Sequence, residues 1–128
     1  MTAWRFVALS AALLGLLGVI LGAVGAHAVP VQDSVARQQW ATAWHLHLFH
    51  AAALLGIAGL ARQGPSALLL VSGSTLLAGS VFFSGSLYLR ALGVAWIPGP
   101  LTPFGGLLLM AGWLLLLTAV ARLPRFPA

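Results

Sequence analysis

The sequence predicts an all-α integral membrane protein, a four-helix bundle with both termini in the cytoplasm (N-in/C-in). Of its 128 residues, 61% are hydrophobic and 5% are charged, a composition far outside the soluble range. Apolar runs separate the few charges, and each is long enough to cross about 30 Å of hydrocarbon as a helix of roughly 20 residues. No stretch alternates in polarity over about ten residues as a strand of a membrane barrel would. The chain reads as one transmembrane domain, residues 1–128, with spans at about residues 6–28, 41–61, 66–89 and 104–121.

The first run carries Gly15, Gly18, Gly22 and Gly25 at spacings that draw a small-residue stripe down one helical face. In lipid, helices associate through such close backbone approach, so the stripe is read as a packing surface. Arg5, the apolar run and Ala26-His27-Ala28 imitate a secretory signal with a cleavage site. A retained span is favoured, because the run is long for a signal core and its removal leaves an odd number of spans. Val29 to Gln39 is the most polar segment and is expected to be a loop. The second run holds Ala52, Gly56 and Gly59, and the turn Arg62-Gln63-Gly64-Pro65 joins it to the third as a tight hairpin. The third holds Ser72, Gly79 and Ser86, and the fourth Gly105 and Gly112. Ala91 to Thr102 is expected to lie in the membrane interface with Trp96 as an anchor. Thr102-Pro103 reads as an N-cap and first helical residue. Arg122 to Ala128 reads as a short tail with two prolines.

Six arginines and one aspartate give a net charge of +5. The arginines stand singly at helix ends and form no basic patch, which excludes nucleic acid as the reason for the charge. Arg5, Arg62, Arg122 and Arg125 flank one set of ends, and Arg37, Arg90 and Asp33 the other, so the positive-inside rule places both termini in the cytoplasm. The absence of cysteine excludes disulfides, iron–sulfur clusters and thiol redox centres. A chain rich in Ala, Leu, Gly and Arg, without lysine, fits a GC-rich bacterial genome.

In that topology the polar residues gather in the outer half: His27, His45, His47, His50, Ser84, Ser86, Tyr88, Arg90 and Thr102. His47 and His50 lie about 60° apart on a helix, whereas His45 points away from His47. His50, nearest mid-bilayer, needs a partner in protein or water. The bland reading is a neutral imidazole hydrogen-bonded to another helix. Three functional readings compete with it: a metal site of His47, His50 and His27, a haem held by two histidines, and a proton-responsive path through His50. No carboxylate lies within a span, which disfavours a cation exporter built on one. Ser84-Gly85-Ser86 lacks the acid of a hydrolase triad and reads as close packing.

Four segments taken together resemble a known family: Leu21-Gly22-Ala23-Val24-Gly25-Ala26-His27, Trp40 to His50-Ala51, Phe83-Ser84-Gly85-Ser86-Leu87-Tyr88, and Leu101-Thr102-Pro103-Phe104-Gly105-Gly106 with Gly112-Trp113. Their order and spacing are similar to those of the YgdD-like small membrane proteins, domain-of-unknown-function family 423. The resemblance implies a four-span bacterial inner-membrane protein with no known reaction. It also implies that His27, His50, Ser84, Gly85, Ser86, Tyr88, Thr102 and Pro103 occupy motif positions. Where this chain has Leu46-His47 the family usually has Tyr-Gln, so His47 and His45 are expected to be local departures, which counts against the metal reading.

The expectation is therefore a multi-pass protein of the bacterial cytoplasmic membrane that is not an enzyme and has no assigned metal or cofactor. A polar pocket is expected around His27, His50, Ser84, Ser86, Tyr88 and Thr102. Helix packing is expected at Gly15, Gly18, Gly22, Gly25, Gly79, Gly105 and Gly112. A structural or accessory role is favoured over a small transporter or ligand-binding module using His50. The expected partner is the lipid bilayer, with a homo-oligomer or a membrane protein partner left open.

Overall fold

Apolar composition and chain punctuation yield four helices in the computed structural model, which describes residues 2–28, 33–64 and 66–123. They are α1 (Ala3–Ala28), α2 (Ser34–Gln63), α3 (Ala67–Ala91) and α4 (Leu101–Ala121). All four are long and apolar enough to cross a membrane. Val29 to Gln32 of the first connection, Pro65 of the hairpin turn, and Arg125 with the two prolines of the tail lie outside the described residues.

The first connection is shorter than its polarity suggests. The Asp33 carboxylate accepts the Ala36 N–H at 2.9 Å, an N-cap that starts α2 before the polar residues Arg37, Gln38 and Gln39. Those residues therefore form helix rather than loop, and the 30-residue α2 is about 45 Å long, more than the hydrocarbon core requires. It ends at Gly64, whose N–H returns to the Leu60 carbonyl, and Ser66 opens α3 by accepting the Leu69 N–H. After α3, Gly93 takes a φ of +79°, a left-handed conformation that favours glycine. Its N–H bonds to the Arg90 carbonyl and that of Val94 to the Leu89 carbonyl, the paired closure of a Schellman C-cap. The following connection buries Ile97 and exposes Trp96, and Arg90 donates to the Pro98 carbonyl at 3.0 Å. Helix α4 begins at Leu101 with Pro100 at its cap, so Thr102 is not the cap residue; its hydroxyl is engaged elsewhere, as described below.

Packing follows the small residues. Helices α3 and α4 approach most closely: a Cβ on Gly79 would meet Leu109, one on Gly112 would meet Leu76, and one on Gly105 would strike the backbone of Phe83. Glycine at these three positions sets the interhelical distance. Ser72 adds a buried hydrogen bond to the Gly112 carbonyl at 2.9 Å. On α1, Gly18 packs on Leu48, Gly22 on Trp44 and Gly25 on Trp40. The missing side chains admit two indoles to the helix backbone: Trp44 Nε1 donates to the Gly18 carbonyl at 2.8 Å and Trp40 Nε1 to the Leu21 carbonyl at 3.1 Å. Each accepting carbonyl lies four residues before the glycine that makes room for the ring.

Two expected packing surfaces are unused among the described residues. Gly15 has nothing within 4 Å of its Cβ position, and the same holds for Gly56 and Gly59, which with Ala52 form an exposed strip on α2. The reason is the layout. Helix α1 lies against α2 and touches α3, whereas α4 lies against α3, with no Cα within 8 Å of α1 or α2 among the described residues. The apolar core, built on Leu54, Ile57, Leu69 and Leu76, sits toward the end that carries the α2–α3 turn.

Candidate functional site

The polar side chains do not converge on one pocket. Ser84 and Ser86 differ by two positions, about 200° around a helix, so they face opposite sides of α3. Ser86 turns to α4, where its hydroxyl lies 2.6 Å from that of Thr102 and also donates to the Phe83 carbonyl. Tyr88, one turn from Ser84, turns to α2: its ring meets Trp40 edge-on at 4.7 Å between centroids, and its hydroxyl lies 3.3 Å from His47 Nδ1. His27 is exposed in the last turn of α1 and joins none of these groups. The expected six-residue pocket is thus divided among separate helix interfaces, because similar depth does not confer a shared direction.

His50 has a site of its own between α2 and α4. It is 3% exposed. Its Nδ1 lies 2.7 Å from the Leu46 carbonyl, and Trp113 Nε1 donates to its Nε2 at 3.1 Å. A carbonyl can only accept and an indole N–H can only donate, so these partners fix the neutral tautomer with the proton on Nδ1. Both ring nitrogens are used, which is what a polar group inside a bilayer requires. Above this bond lies an open groove of about 610 Å³ lined by Leu46, Phe49, Leu109, Met110, Trp113 and His50. The Phe49 and Trp113 rings meet across it at a tilt of 33°, 5.7 Å between centroids. The groove exists because the α2 and α4 backbones stand apart, bridged by the indole.

His47 is buried against other neighbours than His50. It is 4% exposed, as buried as His50, and faces Tyr88 on α3. His45, by contrast, is exposed beside Trp44. The rotation of about 60° between His47 and His50 sends them to different neighbours, so they do not form a joint metal site. Among the described residues no three metal-ligating side chains gather. A metal ion or haem iron at His50 Nε2 would first have to displace the Trp113 indole. Among the described residues, His47 Nε2, Ser80 Oγ and Ser84 Oγ are buried without hydrogen-bond partners; a serine hydroxyl can turn back to its own helix, whereas His47 Nε2 has no such recourse.

Sequence reasoning missed Trp113 as the partner of His50, and Trp40 and Trp44 as ties to α1. A usable signal was present for the latter pair: tryptophans one turn apart on α2 opposite glycines on α1. Trp113 follows Gly112 directly, and its reach back to α2 depends on helix spacing that no local pattern records.

Comparison with known proteins agrees with this architecture. A family model described as a protein of unknown function (DUF423) matches residues 21–106, which include Gly22 and Gly25 of α1, the α2 histidines and the Gly105–Phe83 and Ser86–Thr102 contacts between α3 and α4. The Escherichia coli K12 inner membrane protein YgdD is 37% identical over 94% of this chain and 93% of its own length. A membrane protein of fission yeast, Schizosaccharomyces pombe, is 38% identical over 88% of this chain and 96% of its own. The Bacillus subtilis membrane protein YwdK is 34% identical over 84% and 89%. No solved structure matches the chain. Four apolar helices and relatives named as membrane proteins across nearly the full length lead to one conclusion: this chain is a multi-pass membrane protein and belongs to the DUF423 family.

Proposed function

We propose that this protein is a non-catalytic structural or accessory protein of the cytoplasmic membrane whose internal polar residues tie helices together. The observation that carries the reading is His50, whose two ring nitrogens are both engaged, one by its own helix and one by Trp113 of α4. The same use of polar groups recurs at Trp40, Trp44, Ser72 and Ser86, each bonding to or reaching a neighbouring helix. The non-catalytic part is supported by Ser86, held by Thr102, and by Asp33, the one acidic residue of the sequence, which caps α2. The cytoplasmic membrane is supported by the name of the Escherichia coli relative, and N-in/C-in by the arginines at the α2–α3 turn and α4 end. The test is thermal unfolding of His50→Ala in detergent beside an absorption spectrum and elemental analysis. Loss of stability without a bound chromophore or metal is expected. A Soret band or stoichiometric metal abolished by the substitution would replace the reading with a cofactor-binding one.

For protein partners the reading favours a second copy of this chain, paired through Ala52, Gly56 and Gly59. The support is the open space at both glycines and the self-complementarity of a small-residue strip across a two-fold axis. Cysteine cross-linking from Gly56→Cys in membranes tests it: a dimer band is expected. A monomer alone, or cross-links only to other proteins, overturns the pairing.

A further inference from the structure

Where α1 begins and α2 stops, two guanidinium groups from different helices converge on one indole. The Arg5 Cζ lies 5.5 Å and the Arg62 Cζ 5.8 Å from the Trp4 ring centroid, and Trp4 packs on the apolar core. Both arginines are exposed. A cation over an aromatic face keeps its N–H donors free at its edge, and neither guanidinium donates a hydrogen bond to protein among the described residues.

Their charge has no side-chain counterion within reach. The sequence contains one acidic residue, Asp33, which caps the far end of α2, about 43 Å from Arg62 at 1.5 Å per residue. Two cations held together on a membrane protein without a carboxylate have their natural counterion in the bilayer, as lipid phosphate. Guanidinium groups bind such oxygens in paired, charge-assisted hydrogen bonds. Beside them is an open groove of about 490 Å³ lined by Trp4, Arg5, Ala8 and Leu9. It passes from the charged end of α1 to apolar residues one turn deeper, the polarity profile of a lipid rather than of a free anion.

We propose that Trp4, Arg5 and Arg62 form a binding site for the phosphate headgroup of an acidic phospholipid, whose acyl chain follows the groove along Ala8 and Leu9. The site is separate from the His50 tie and does not depend on that residue's role. Native mass spectrometry tests it on full-length protein in micelles containing equimolar phosphatidylglycerol and phosphatidylcholine with the same acyl chains. The protein retains phosphatidylglycerol with a preference of about thirtyfold, from two arginines at about 1 kcal/mol each near a membrane surface. Arg5→Gln/Arg62→Gln, with helix content checked by circular dichroism, loses that preference; Arg37→Gln, at the opposite end of α2, keeps it. Should the double variant lose helix, Arg5→Gln and Arg62→Gln alone each lower the preference severalfold. Equal retention of the two lipids by the unmodified protein overturns the proposal, as does an undiminished preference in the folded variants. Millimolar inorganic phosphate leaves the lipid bound; complete displacement by it would make free phosphate the ligand and overturn the lipid assignment.

Discussion

Replacing Trp113 by phenylalanine keeps an aromatic ring against Phe49 and removes the one N–H that satisfies His50 Nε2. Interhelical hydrogen bonds in membranes contribute about 0.6 kcal/mol on average and up to about 1.7. At a residue 3% exposed, the acceptor left behind finds no water, which adds part of a desolvation cost of about 1–3 kcal/mol. Trp113→Phe should therefore lose about 1–2 kcal/mol. His50→Ala removes the same bond together with a buried ring, and by analogy with large-to-small core changes should lose about 2–4 kcal/mol. The decisive quantity is the coupling between them. In a double-mutant cycle, measured by denaturant titration in bicelles with circular dichroism, the losses should fall short of additivity by about 1 kcal/mol. Trp96→Phe, at a residue 79% exposed, should change stability by less than about 0.5 kcal/mol. Additivity of Trp113→Phe and His50→Ala within about 0.5 kcal/mol would refute the argument that the two side chains hold α2 and α4 together.

The glycines give sharper contrasts. Gly105→Ala places a methyl group against the Phe83 backbone, which cannot rotate away as a side chain can, so a loss of about 1–3 kcal/mol or more is expected in the same denaturation assay. Gly59→Ala meets open space and should be neutral or stabilise by about 0.5–1 kcal/mol in monomeric protein. Gly25→Ala should displace the Trp40 indole from the Leu21 carbonyl, visible as a red-shifted tryptophan emission and faster hydrogen exchange in α1. Ser86→Ala and Thr102→Val should couple to each other across the α3–α4 contact, and neither should couple to His50→Ala.

The fold was legible because membrane helices leave a strong record: apolar length, singly placed charges and glycine spacing all repeat the same message. Four helices and a membrane-spanning class follow from those features, and the segments that carry the family resemblance, Gly112-Trp113 apart, lie within the family match. Boundaries were read less well. Polar residues before Trp40 suggested a loop, yet the Asp33 cap lets a helix run through them, since polarity decides exposure rather than backbone conformation. The arrangement of polar groups was the least legible part. Depth along a helix can be counted from sequence, whereas the direction of each residue depends on which neighbours surround its helix. That is why His47 and His50, three positions apart, serve different contacts, and why His27 stands exposed. Trp113 could be seen as part of a motif, but its bond to His50 spans 63 positions and leaves no local trace.

The most direct test of the account is the protonation pattern of His50, read by nitrogen-15 NMR of histidine-labelled protein in lipid, with the resonance assigned by its loss in His50→Ala. The account predicts a neutral imidazole protonated at Nδ1, with an Nε2 signal that shifts in Trp113→Phe. A proton on Nε2, or an Nε2 bound to a metal or haem iron, would contradict it.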